Sequence, residues 1–317
     1  MNSRAAALAL ALLAAGLAAA GCASGPENGE NDAAPRTTRE LKASVRNAAR
    51  LVERQGEAAF AAFDAPSGPW RRGDESLFVI DASGTFVYHG FDATLLGTNA
   101  SDLADEDGRP YGKRWAEIAA GKPATGWAFH ERTRPESRRP EWTATHLAHA
   151  RTPSGAVLTV GSGVHGLEPD RELLVDLVED AVAALDRGGN TALLAIDDPK
   201  GPFVYRDVAV FVMEMDGVLR ANALFPELVG QSIFEFRGPD GKSPADEHIR
   251  VAKTRGYGFC EYAWHHPDGA PGRKLAYVRR VSFEGRPVVV GASLYLDPRP
   301  ESVPEEARPA PPASGRG

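Results

Sequence analysis

The chain has 317 residues, 43% of them hydrophobic, which is material for about two domains of 100–200 residues, each with its own core. Acidic residues number 43 against 36 basic, a formal charge of −7 with the signs interspersed, so no basic face suited to nucleic acid is expected. The two cysteines, Cys22 and Cys260, stand in no CxxC or CxxCH pattern, which excludes a zinc-ribbon or c-type haem framework.

Met1 to Arg4 is a short basic stretch followed by an Ala/Leu run over residues 5–20. This is the pattern of a secretory signal peptide over residues 1–21, since the run is shorter than the roughly 20 residues of a spanning helix and no basic stop-transfer cluster follows. Its end, Ala19-Ala20-Gly21-Cys22, resembles the lipobox of bacterial lipoproteins, which implies lipidation at Cys22 and a membrane anchor; cleavage by an ordinary signal peptidase is the alternative. No Asp follows Cys22, so the usual inner-membrane retention signal is missing. The expected location is extracytoplasmic, on the periplasmic face of the outer or inner membrane. Residues 22–36, small and polar, read as a flexible tether, and residues 298–317 as a disordered tail.

From residue 37 onward the chain repeats once, at a spacing of about 133 residues. Leu41, Val45, Ala48, Val52, Gln55, Ala59 and Phe63 recur at three-and-four spacing behind the capping box Thr37-x-x-Glu40, predicting a long amphipathic helix. Short strands are predicted over 77–81 and 85–89 around the turn Ala82-Ser83-Gly84, then a short helix over 112–120, then strands over 126–132, 142–150 and 157–163. Leu173, Leu174, Leu177, Val178, Ala181 and Leu185, behind Pro169-Asp170, open the second copy in the same way. Its strands fall at 209–214, 218–221, 259–264, 274–283 and 288–295, with a short helix over 245–254. Gly84 pairs with Gly217, Leu96-Gly97 with Val229-Gly230, Asp107-Gly108 with Asp240-Gly241, Gly126-Trp127 with Gly258-Phe259, Pro135 with Pro267 and Gly161 with Gly291. The expected fold class is α+β, each copy a long N-terminal helix packed on an antiparallel sheet of about five strands, over residues 37–166 and 167–297.

The run Asp197-Asp198-Pro199-Lys200-Gly201-Pro202-Phe203, the strand Val210-Phe211-Val212, Asp216-Gly217, Pro226-Glu227-Leu228-Val229-Gly230 and Asp240-Gly241-Lys242 resemble the single-Cache domain of bacterial receptors. The resemblance continues through the strand ending at Trp264, through Pro267, Lys274 and Tyr277, and into the closing strand 288–295. The first copy keeps Phe63-Asp64-Ala65-Pro66, Phe78, Gly84, His89, Leu96-Gly97 and Asp107-Gly108 but carries Trp142 and Thr145 where Lys274 and Tyr277 are aligned. The resemblance implies two tandem PAS-like extracytoplasmic sensor domains that bind a small carboxylate, amino acid or amine. Without an output module, any signal would pass to a separate membrane receptor or transporter. A structural or interaction lipoprotein of the envelope, with degenerate domains that bind no ligand, is the alternative.

Strand alternation puts Cys260, Tyr262 and Trp264 on one side and Phe259, Glu261 and Ala263 on the other. Tyr262 and Trp264, with Lys274 and Tyr277 on the next strand, would give an aromatic wall, a cation and hydroxyl donors for an anionic group. The alternative is that the aromatics are core packing and Lys274 an edge residue. Lys274 and Tyr277, three apart, share a face only if a bulge intervenes. In the first copy His130 and Arg132 align with Tyr262 and Trp264, and with Trp127 and Trp142 complete the candidate ligand-binding set. No metal site is expected at His265-His266, whose side chains diverge on an extended chain, nor at Asp105-Glu106-Asp107. Ser162 lies in Gly-Ser-Gly rather than GxSxG, and no paired acid/base groups emerge, so neither an enzyme nor a cofactor is expected.

Overall fold

The computed structural model describes residues 36–297 except 66–67, 73–74, 76, 122, 134–138 and 267–268. The leader, Cys22, the tether, the tail, Pro66 and the Pro135/Pro267 pair therefore lie outside the described residues. In chain order the first copy comprises α1 (Thr38–Gln55), α2 (Phe60–Phe63), β1 (Leu77–Asp81), β2 (Phe86–His89), α3 (Tyr111–Ala119), β3 (Thr125–Thr133), β4 (Pro140–Arg151) and β5 (Val157–His165). The second comprises α4 (Arg171–Gly188), α5 (Asn190–Asp197), β6 (Val204–Tyr205), β7 (Val208–Glu214), β8 (Leu219–Asn222), α6 (Pro244–Thr254), β9 (Tyr257–His265), β10 (Pro271–Phe283) and β11 (Arg286–Tyr295). The predicted strands agree with those observed to within a few residues. The predicted first helix is interrupted at Gly56, whose N–H closes α1 onto the Val52 carbonyl, and α5 and β6 were not foreseen.

Both sheets are antiparallel and carry the same order, β2-β1-β5-β4-β3 and β8-β7-β11-β10-β9, with β6 added beside the start of β7. The equivalence extends to single residues. Phe78 faces Gly161 across β1 and β5, and Phe211 faces Gly291 across β7 and β11. A Cβ on Gly161 would stand 2.2 Å from the Phe78 ring and one on Gly291 2.5 Å from the Phe211 ring, so in each copy the outer end of the ring occupies the space a side chain would need.

Register also corrects the sequence alignment. His130 pairs with Thr143 as Tyr262 pairs with Lys274, and Trp127 pairs with His146 as Phe259 pairs with Tyr277. The first-copy counterparts of Lys274 and Tyr277 are thus Thr143 and His146, one residue beyond Trp142 and Thr145.

Each sheet is covered on both faces. The capping box of Thr37 with Glu40 starts α1, which lays Leu41, Val45, Ala48 and Val52 on β4 and β5. In the second copy Asp170 caps α4, which packs on β10 and β11. The opposite faces are covered by α3 and α6, the latter started by a capping box of Ser243 with Asp246 and by Pro244 in its first turn. One apolar core runs through both copies, joining Leu41 and Val45 of α1, Trp127, Phe129 and Ala144 of the first sheet, and Leu173 to Leu185 of α4 to Val210, Leu275 and Ala292 of the second sheet. A polar seam borders it: Lys42 pairs with Glu172 at 2.9 Å and Asp176 at 2.7 Å, Trp127 Nε1 donates to Asp176 at 3.0 Å, and Arg114 lies 3.7 Å from Asp180. Burial raises the Asp180 carboxyl to about 6, against the pull of Arg114.

Candidate functional site

Between the second sheet and α6 lies a cavity of about 70 Å³. Its floor follows from alternation on β7, β9, β10 and β11, which turns Phe211 and Met213, Tyr262 and Trp264, Lys274, and Ser293 to one face. Its roof is the first turns of α6, through Pro244 and His248, and its sides are Asp207, Asn222 and the apolar residues of the 224–233 loop. Three residues singled out from sequence, Tyr262, Trp264 and Lys274, meet here.

Lys274 is 5% exposed, with Nζ 4.4 Å from the centre of the Tyr295 ring, so its cation is held over an aromatic face. Tyr262 donates its hydroxyl to Ser293 Oγ at 3.0 Å, which leaves the Ser293 proton available to a ligand. Burial pushes the Tyr262 phenol well above its ordinary range, so it stays a neutral donor. His248 stacks on Phe211 at 5.1 Å and stands edge-on to Tyr262 at 5.0 Å. Burial, with the Lys274 charge, holds its imidazole down to about 3, so it is neutral at any ordinary pH. Cys260, on the same side of β9, is a buried packing residue whose thiol burial raises to about 12.

The remaining candidates lie elsewhere. Strand β10 pairs with β9 and β11 without a bulge, so Tyr277 faces α4, where its hydroxyl donates to Glu179 at 3.2 Å; it does not share the cavity with Lys274. Trp127 and Trp142 also point away from α3, into the core shared with α4: Trp127 bonds Asp176, and Trp142 stands edge-on to Tyr205 under the Arg109 guanidinium. His130 does occupy the face equivalent to that of Tyr262. There it is stacked under Tyr111 at 4.0 Å with Trp115 beside it, and burial lowers it to about 3. Arg132 is exposed near the end of β3.

Sequence reasoning missed His248, Ser293, Asp207 and Asn222. The repeat offset carried through Asp107/Asp240 would have paired Trp115 with His248 and Tyr111 with Pro244, and alternation from Gly291 would have placed Ser293. Among the described residues no group of three or more His, Cys, Asp or Glu side chains is placed to hold a metal ion.

Two PAS-like α+β units in tandem, with antiparallel sheets of five and six strands that each lie between two helical covers, define the class. Residues 203–308, which lie for the most part in the second copy, match the family model described as Cache domain. Among solved structures the chain is similar to a periplasmic sensor domain of a chemotaxis protein, at 28% identity over 38% of this chain and 86% of that one, with a TM-score of 0.31. It is also similar to a methyl-accepting chemotaxis protein from Vibrio parahaemolyticus, at 18% identity over 40% and 88%, TM-score 0.33. A third is a Cache chemosensory domain described in terms of carboxylic acid recognition, at 22% identity over 38% and 84%, TM-score 0.31.

Proposed function

We propose that the protein is an extracytoplasmic sensor lipoprotein in which residues 37–166 and 167–297 form two Cache domains and the second captures a small carboxylate. The observation that carries this reading is the convergence of Lys274, Tyr262, Ser293 and Trp264 on one cavity of the copy that matches the Cache family. A buried ammonium and the Ser293 hydroxyl, which accepts from Tyr262 and keeps its own proton to donate, suit a single anionic group, and the apolar remainder of the lining suits a short hydrocarbon tail. A space of about 70 Å³ suits a small ligand. The lipid anchor rests on the Ala19-Ala20-Gly21-Cys22 sequence, and with it the passing of the signal, or the ligand, to a separate membrane receptor or transporter. Among the described residues no helix is long and apolar enough to cross a membrane.

The first copy favours the second reading, a structural role, for that half alone: Tyr111 and Trp115 pack into the place where the second copy has its cavity. The test is calorimetry and thermal shift on the full chain with acetate, propionate and other short carboxylates. A ligand at a hundred times its Kd should stabilise the protein by about 2.7 kcal/mol. Lys274→Met should weaken binding by about 10- to 100-fold through loss of a charge-assisted bond. Absence of any shift with wild-type protein, or unaltered affinity in Lys274→Met, would overturn the reading.

A further inference from the structure

Within the cavity one polar group is left over. His248 is 4% exposed, lines the space, and has its Nε2 buried without a hydrogen-bond partner. An orphaned buried nitrogen is costly. At the equivalent place on α3 the first copy stacks Trp115 on Phe78, at 4.4 Å, as His248 stacks on Phe211, and the Trp115 Nε1 is buried without a partner too, but Trp115 is packed against Tyr111 and His130, whereas His248 lines the cavity. What distinguishes the second copy is a smaller ring on the cavity wall that carries a buried nitrogen without a partner.

We propose that His248 determines specificity in this cavity by hydrogen-bonding an oxygen that the ligand carries next to its carboxylate, so that the site selects short 2-hydroxy or 2-oxo carboxylates over the unsubstituted acid. The inference rests on the carboxylate reading above. The small volume sets the position of that oxygen: with the carboxylate engaged by Lys274, a second polar atom of so short a ligand has to lie close to the first. Its neutrality follows from the ring. A neutral imidazole offers one donor and one acceptor and can serve a hydroxyl or a carbonyl, whereas it offers a second carboxylate no charge to pair with.

The experiment compares four three-carbon probes, propionate, L- or D-lactate, pyruvate and alanine, by titration calorimetry on the full chain. Lactate or pyruvate should bind at least about tenfold more tightly than propionate, because a site built to bond an oxygen leaves its own polar atom unpaired against the analogue that lacks it. His248→Phe, which keeps the aromatic stack, should bring the ratio within about twofold, with lactate and pyruvate losing more affinity than propionate. His248→Gln, which keeps a hydrogen-bonding atom, should retain most of the preference and serves if the Phe variant does not fold. Equal binding of propionate and lactate by the wild type would overturn this inference and leave the carboxylate reading standing. So would tightest binding of alanine, which would assign the second contact to an ammonium read by Asp207, or an equal loss for all probes in both variants. No binding of any probe would remove both.

Discussion

The two copies share a sheet order, a phenylalanine-over-glycine contact and a helix on each face, yet under its short helix the second has a cavity lined by Lys274, Tyr262 and Ser293 where the first packs Tyr111 and Trp115. The difference is concentrated in few positions. On α3, Tyr111 and Trp115 pack onto His130 and Phe78; on α6 the corresponding Pro244 and His248 leave room beside Tyr262 and Phe211. At the centre of the floor, Lys274 stands where the first copy has Thr143. Exchanging two large rings for a proline and an imidazole, and a threonine for a lysine, thus separates a filled face from a receptive one without altering the framework.

The severest way to break that comparison is to impose the first copy's filling on the second. Pro244→Tyr with His248→Trp should abolish the ligand-induced thermal shift, an affinity loss beyond 100-fold, while the far-ultraviolet circular dichroism keeps its α+β form. Retained binding would show that these two positions do not decide the difference.

A second test sharpens the comparison through acid stability. His130 and His248 are both held neutral by burial, to about 3 from an ordinary 6.5. A base depressed by folding contributes stability that is present above pH 6.5 and lost as the pH falls towards 3, because only the unfolded chain takes up the proton. Replacing either by Phe should flatten the fall of unfolding free energy between pH 6 and 4 by about 1.4 kcal/mol per pH unit. Asp180, raised to about 6, acts in the opposite sense, its contribution being present below pH 3.8 and lost as the pH rises through 6. It is common to both variants, so the difference from wild type in urea titrations isolates each histidine. Equal slopes in all three proteins would contradict the burial of these rings.

The smallest expected effect belongs to Tyr277→Phe. With its hydroxyl on Glu179 and its ring against the α4 side, it should change ligand affinity by less than twofold and stability by about 1 kcal/mol or less, measured by calorimetry and urea unfolding. A large loss of affinity would place Tyr277 back with Lys274.

Most of the framework was legible because its signals are periodic. Alternating apolar residues bounded by turn glycines located the strands, and three-and-four spacing behind Thr37 and Asp170 located the two long helices. Elements without such a signal were missed: α5 carries only Ala192 and Ile196 as buried positions, and β6 is two residues long. The site was legible in part. Tyr262 and Trp264 share a face by alternation, and the same rule separates Lys274 from Tyr277, since no bulge resets it. The one-residue slip that matched Trp142 to Lys274 arose because the connection between β3 and β4 differs in length from that between β9 and β10, and no residue marks where the difference falls. His248 stayed hidden because a lone histidine on a short helix reads as any polar residue until the fold shows what surrounds it.

The helix α4 has a consequence for how this duplicated chain behaves as matter. Its apolar stripe is wedged between side chains of both halves, so neither half retains a closed interior if the other is lost. Two copies that share one interior are expected to melt together, and ligand held by the later copy should protect the earlier one from denaturation just as well.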